Sequence, residues 1–315
     1  MATVTVQKSI SVLIKEYAKE IGFDLCGIAQ ARSLEEHRTM LTQWVLQGMN
    51  GDMDYLKQNT SKRLDPRILF PGTKSVIVTG LNYYSEKKQG GNGIPEISRY
   101  AYGDNYHDVI KKKLNKLLDY IKSIHPEASG RSFVDSAPIL EKAWGREAGL
   151  GWPGKHSILI NKKLGSFFFL GVILINMDLE YDDPATEDNC GTCSQCIDIC
   201  PTGAINDDRT IDARKCIANL TIEDRGPIPE DIIPKIGRRI YGCDKCQEVC
   251  PWNRDAKSHK TPEFDLSDEL QKMSAHQWLN LTREQFDRLF KDTPVERRKY
   301  EPFMQNISAV IKTKP

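Results

Sequence analysis

The chain is 315 residues long, is 39% hydrophobic and 28% charged, and sets 44 Lys and Arg against 43 Asp and Glu for a formal net charge of +1. This is the composition of a soluble globular protein of about two domains, and its balanced charge neither requires nor excludes a nucleic-acid partner. The longest apolar run, Phe167 to Ile175, is too short for a membrane helix. The N-terminal residues carry no export signal, so a cytoplasmic protein with no membrane partner is expected.

In chain order, Ile10, Leu13, Ile14, Tyr17, Ala18 and Ile21 recur at helical spacing, with Gly22 placed as a C-cap. Residues 23–29 read as a strand containing Cys26, most simply a buried thiol. Ser33-Leu-Glu-Glu36 has the form of a capping box opening a helix to about Gly48. Residues 49–71 read as loop, 75–81 as a buried strand, and Gly90-Gly-Asn-Gly93 as a turn. A long helix is expected over 106–124, with Ile110, Leu114, Leu117, Leu118 and Ile121 on its apolar side. A short strand at 132–135, a helix at 139–149, a glycine-rich turn at 149–156 and strands at 157–160 and 167–175 complete an α+β (α/β-like) domain over residues 1–178. Residues 179–255 form a cysteine module, and 256–315 a C-terminal segment of short helices. Thr282-x-x-Gln285 and Thr293-Pro-Val-Glu296 resemble capping boxes there.

The cysteines carry the sharpest signal. Cys190-x2-Cys193-x2-Cys196-x3-Cys200-Pro201 is the bacterial ferredoxin run, in which three thiolates hold one [4Fe–4S] cluster and the fourth serves another. Cys216 and Cys243-x2-Cys246-x3-Cys250-Pro251 supply a second set. By the crossed logic of such runs, Cys190, Cys193, Cys196 and Cys250 hold one cluster, and Cys200, Cys216, Cys243 and Cys246 the other. Paired C-x2-C also builds zinc sites, although zinc ribbons do not usually end twice in C-x3-C-P. A disulfide framework is disfavoured by chain size and the lack of a secretory signal.

Clusters transfer single electrons, so the first domain is expected to hold the acceptor chemistry. It has no Walker A sequence. Gly149-x-Gly151-x-x-Gly154 follows a predicted helix and precedes a strand, the wrong order for a dinucleotide-binding turn.

Several stretches together resemble the epoxyqueuosine reductase family. They are Asp135-Ser-Ala-Pro, Ala148-Gly-Leu-Gly-Trp-x-Gly-Lys-His156, Gly165-Ser-Phe-Phe-Phe-Leu-Gly171, Asp212-Ala-Arg-Lys-Cys216, Leu220-Thr-Ile-Glu223 and Tyr241-Gly-Cys-Asp-Lys-Cys-Gln-Glu-Val-Cys-Pro-Trp-Asn253. The resemblance implies a nitroreductase-like cobalamin domain followed by a two-cluster ferredoxin-like module. It implies an oxidoreductase that converts epoxyqueuosine at the tRNA wobble position to queuosine, using an external low-potential electron donor; a monomer is the default expectation. The cobalamin would be base-off, without a histidine lower ligand, in keeping with the missing Asp-x-His-x-x-Gly signature.

On this resemblance Asp135 becomes the general acid, its pKa raised by burial, although Asp135-Ser-Ala-Pro alone would serve as a helix cap. Tyr106 and His107 become hydrogen-bond donors beside the substrate; alone they are residues of a helix start. Gly151, Trp152, Gly154, Lys155, His156 and Ser157 become cofactor contacts, alone suggesting a tight turn with Trp152 in the core, and Arg63 and Ser98 become contacts at the cofactor rim. For tRNA the candidate patches are Lys111-Lys-Lys113, Arg238-Arg239 and Arg297-Arg-Lys299, each otherwise a solvated face. The competing functions are a reductive dehalogenase, a plain ferredoxin-like electron carrier and a zinc-bound RNA-binding module.

Overall fold

Eight consecutive residues, Ser75–Asn82, are all buried, and the first half of the chain is built around them. The computed structural model describes residues 8–91 and 93–312; Asn92, within the predicted Gly90–Gly93 turn, lies outside the described residues. The strands are β1 (Leu25–Gln30), β2 (Ser75–Asn82), β3 (Glu96–Ile97), β4 (Gly130–Phe133), β5 (Trp152–Pro153), β6 (Leu159–Ile160), β7 (Phe168–Ile175) and β8 (Arg239–Tyr241). The main sheet has the order β1-β2-β7-β4, antiparallel throughout, with Ile77 opposite Ile173 and Val76 opposite Leu174.

Both faces of this sheet are covered, so its central strands lack polar alternation. Ile77, Leu81, Ile173 and Ile175 face one way, toward the helices Ile10–Glu20 and Tyr106–Ile124. Val76, Val78, Val172 and Leu174 face the other, toward Trp144 of the helix Glu141–Glu147. The helix Tyr106–Ile124 buries Val109, Ile110, Leu114, Leu117, Leu118 and Ile121, each contributing about 1.5–3 kcal/mol when removed from water. It sits close on the sheet because β7 has Gly171 beneath it: a Cβ there would lie 2.8 Å from Ile110 Cγ2 and 2.9 Å from Leu114 Cδ1.

A second core joins the cysteine module to the C-terminal helices. Ile217, Leu220 and Ile240 pack with Trp278, Phe286, Phe290 and Phe303, and Ile97, Ala101 and Tyr102 enter the same core from the first half of the chain. Parallel pairing of β3 with β8 reinforces this junction. Two polar clamps complete it. Asn253 accepts the Ser166 N–H at 2.7 Å and donates to Ser166 Oγ and the Gln247 carbonyl. Buried Arg99 pairs with Asp244 at 3.3 Å and Glu248 at 2.8 Å.

Local expectations meet the structure unevenly. Asn105 caps the long helix and Thr282–Gln285 forms a full capping box. Ser33 does not cap a helix: its hydroxyl bonds Glu35, a short 3-10 turn follows, and the helix begins at Arg38. Thr293 likewise forms no side-chain cap, because its hydroxyl donates to the Phe290 carbonyl. The predicted loop over 49–71 contains short helices at Thr60–Leu64 and Pro66–Leu69. No described helix is long and apolar enough to cross a membrane.

Candidate active site between the sheet and the cysteine module

A cavity of about 1040 Å³ opens where the helix Tyr106–Ile124 begins and where the chain leaves β4. It exceeds the size of ordinary small-molecule pockets, roughly 300–1,000 Å³. Its wall brings Tyr106, His107 and Asp135 together with Arg63, Ser157 and Cys216.

The helix start sets the geometry. Asn105 Oδ1 accepts the His107 backbone N–H at 3.2 Å and lies 2.9 Å from His107 Nδ1. The backbone bond identifies that amide atom as the oxygen, so Nδ1 carries a proton. Nε2 faces Asp135 Oδ2 at 3.4 Å. Each ring nitrogen therefore faces an oxygen acceptor. Tyr106 donates its hydroxyl to the same Oδ2 at 2.8 Å, while its ring lies flat on Phe169 with centroids 4.3 Å apart. Burial and the neighbouring Asp135 charge push the Tyr106 hydroxyl up, keeping it a donor.

Asp135 differs from the sequence expectation in one respect. Its carboxyl is held below the usual carboxylate range, chiefly by His107 and further by Tyr106, against the opposing effect of desolvation. The side chain is 58% accessible, but to the cavity, so two donors outweigh a partial loss of water. The group beside it behaves oppositely. Glu141 Oε1 accepts the Asp135 backbone N–H at 2.7 Å, and burial, then the Asp135 charge, push its carboxyl up to about 8. Lys142 also lines the cavity, its ammonium pushed down by burial. Sequence reasoning passed over both residues, whose nearest signal is their place at the start of the helix after Asp135-Ser-Ala-Pro.

The remaining candidates divide. Buried Arg63 reaches the wall, donating to the Tyr55 carbonyl at 2.9 Å with no carboxylate partner among the described residues. Ser157, at φ 60°, donates to the Arg209 carbonyl. Gly151, Trp152, Gly154, Lys155 and His156 are not part of the wall, and neither is Ser98, which packs against Gly242. Trp152 meets Trp252 edge-on at 5.0 Å beside Cys250 and Cys190. Gly151 is needed for a backbone crossing: a Cβ would lie 2.0 Å from the Ile160 carbonyl oxygen. His156 is buried and held neutral, its pKa pushed down to about 4 by burial.

The described cysteines are all free, and the eight other than Cys26 fall into two groups. Cys196 and Cys250 each lie in the field of Cys190, and Cys250 also in that of Cys193. Cys216 lies in the field of Cys200, Cys243 in that of Cys216, and Cys246 in those of Cys243 and Cys216. The grouping is compatible with the two crossed sets of four read from the spacing. Cys246 also feels Cys196, which makes the sets neighbours. Burial pushes the Cys243 thiol up to about 11, so metal binding must displace protons there. Backbone N–H groups serve the sulfurs, as Ala204 does Cys200 at 3.3 Å, a feature that tunes cluster potential. The donor set is chemically suited to two [4Fe–4S] clusters, and Cys216 itself lies on the cavity wall.

Most of the basic runs are spent within the protein. Lys113 donates to the Ile21 carbonyl, Arg239 to that of Ile236 and buried Arg298 to that of Asp224, while Arg238 pairs with Glu96. Arg297, paired with Glu223, and Lys299 border the cavity.

Sheet, cavity and crossed cysteine sets define an iron–sulfur oxidoreductase with a site for a large reactant. Residues 189–253 match the family profile of the 4Fe-4S double cluster binding domain, and residues 63–136 that of epoxyqueuosine reductase QueG, DUF1730. The chain is 46% identical to the epoxyqueuosine reductase of Cellulophaga algicola, covering 94% of this chain and 96% of that one. It is 38% identical to that of Escherichia coli, over 96% and 80%. The crystal structure of an epoxyqueuosine reductase with an epoxyqueuosine-modified tRNA-Tyr stem loop superimposes with a TM-score of 0.85 at 30% identity, covering 96% of this chain and 80% of that one. The Bacillus subtilis enzyme, solved with its aspartate catalytic loop swung out of the active site, gives 0.86 at 30% identity over 96% and 81%. The chain belongs to the epoxyqueuosine reductase family.

Proposed function

We propose that this protein reduces the epoxide of epoxyqueuosine in the anticodon loop of tRNA to the alkene of queuosine. Two electrons and two protons are consumed, both C–O bonds break, and the oxygen leaves as water. The observation that carries the reading is the placement of cluster ligand Cys216 and the Asp135–His107–Tyr106 group on one cavity wall.

Cobalamin is the group we assign to the cavity, whose volume of about 1040 Å³ and apolar flank of Leu41, Trp44 and Ile139 suit a broad, flat molecule. When bound it supplies a low-potential, strongly nucleophilic metal centre. Arg63 and Ser157 would hold its polar edge. Gly151, Trp152, Gly154, Lys155 and His156 then serve by shaping the β5–β6 hairpin that presents Ser157, and Ser98 by supporting the wall from behind. On the family resemblance we assign the base-off form without a histidine lower ligand; of the two histidines on the wall, His107 is engaged at both ring nitrogens, whereas His37 keeps a buried Nε2 without a partner.

Within the chain, His107 and Asp135 act as a proton-donating pair. Asp135 holds the imidazolium, His107 carries the proton toward the departing oxygen, and Tyr106 steadies the carboxylate. Arg297 and Lys299 at the rim suit RNA phosphates, so binding should weaken steeply with salt. The modified base must be splayed from its loop to enter. The protein would act as a monomer in the cytoplasm with an external low-potential donor.

The test is anaerobic reconstitution with iron, sulfide and cobalamin, then turnover of epoxyqueuosine-containing tRNA under a low-potential reductant. Mass spectrometry of digested nucleosides should show loss of one oxygen only when cobalamin is present. Unchanged tRNA with cobalamin and both clusters bound would refute the substrate.

A further inference from the structure

We propose that Glu141 is a positioning residue for this reaction: by accepting the Asp135 backbone N–H it holds the aspartate in the turn that aims its carboxylate at His107, Tyr106 and the cavity. This rests on the role proposed above for Asp135.

The backbone of Asp135 needs such a hold. β4 ends at Phe133, so the next residues have lost the sheet ladder. Asp135 takes φ 54°, and the Ser136 N–H bonds back to the Val134 carbonyl at 2.5 Å. A bond from residue i to i+2 around a positive φ is a tight γ-type turn, a strained shape for a residue with a Cβ. Strain of this kind persists where the surroundings over-determine it. The side chain of Asp135 has two partners, Tyr106 and His107, but both act on Oδ2 and leave the peptide free to rotate. Glu141 acts on the peptide itself.

Glu141 is well placed for the task. It opens the helix Glu141–Glu147, which is packed on the sheet through fully buried Trp144 and against the β5–β6 hairpin at Gly145, where a Cβ would lie 2.6 Å from Leu159 Cδ2. The acceptor therefore stands on a rigid element, six residues along the chain from the strained turn. The charged and titratable groups facing it are Asp135, Lys142 and Tyr106, with His107 reached through Asp135. Beside one carboxylate, a second acceptor is best neutral, and burial favours the protonated form of Glu141. Its carbonyl oxygen can accept the N–H without adding a like charge.

The test uses the reconstituted protein with Glu141→Ala, Glu141→Leu and Glu141→Gln. Leu removes the acceptor while keeping bulk, and Gln keeps an acceptor oxygen in nearly the same shape. Ala and Leu should lower kcat on epoxyqueuosine tRNA by about 10²-fold, the cost of a misplaced catalytic group. The KM should stay within about twofold, since uniform binding is untouched. Hydrogen exchange at the Asp135 amide should accelerate in Ala and Leu but not in Gln, and Gln should recover kcat to within about threefold of the parent. Wild-type kcat in both Ala and Leu, or an Asp135 amide as protected as in the parent, overturns the proposal. So does a Gln variant as slow as Ala, which would show that the acid and not the acceptor matters. If the parent protein fails to reduce the tRNA, the proposed function falls, while amide exchange still decides the positioning role.

Discussion

Replacing Asp135 by Asn isolates the charge of the group that pairs with His107. Asn tolerates the left-handed region better than most residues, so φ 54° at this position should survive, as should the backbone bond to Glu141. Weakening the bonds of this carboxylate to Tyr106 and His107 should cost folding about 1–2 kcal/mol, which leaves the fold intact. Chemistry should respond differently. The amide cannot stabilise an imidazolium at Nε2, 3.4 Å away, nor accept as strongly from Tyr106 at 2.8 Å. General acid catalysis contributes about 10²–10⁴-fold, equivalent to roughly 2.7–5.4 kcal/mol of barrier at 1.36 kcal/mol per tenfold. Single-turnover reduction of epoxyqueuosine tRNA, with iron content and melting temperature measured on the same sample, should show this loss with the fold intact. Turnover within about threefold of the parent would refute the pair as proton source.

Glu141 has a folded pKa above its unfolded value of about 4.3, so the folded state binds the extra proton. Stability from this group is intact below the unfolded value and declines as pH rises toward about 8. Glu141→Gln should remove that slope, and thermal melts should show the variant gaining on the parent as pH rises across this window. Cys216→Ser should cost the cluster bordering the cavity, lowering iron from about eight to about four per chain. Turnover should stop while electron paramagnetic resonance still detects the other cluster; full iron content would contradict the crossed assignment. Arg99→Ala leaves buried Asp244 without its guanidinium and should cost about 3 kcal/mol. Anaerobic urea denaturation measures this, and an unchanged midpoint would show that the clamp does not hold the two halves together.

The sequence by itself determined those features whose causes lie within a few residues of one another. Thiolates that share a cluster recur at short fixed spacing, so two clusters were legible from the runs Cys190–Cys200 and Cys243–Cys250, with Cys216 as the eighth thiolate. Apolar periodicity and a nearby cap placed the helix Tyr106–Ile124, and uninterrupted burial-prone residues placed β2 and β7. Asp135, His107 and Tyr106 became candidates through family resemblance, but their geometry belongs to the tertiary structure. Tyr106 and Asp135 meet across 29 residues because β4 ends beside the start of a helix packed on the same sheet. The same packing turns Glu141 back onto the strained peptide and holds Asp135 as a carboxylate where burial alone would have raised it. It also spends most of the basic runs on carbonyls and carboxylates, and gives Gly151 to a backbone crossing. A residue's type states what it is able to bond, but which partner lies within reach is set by sheet register and helix placement, neither of which is local in the chain.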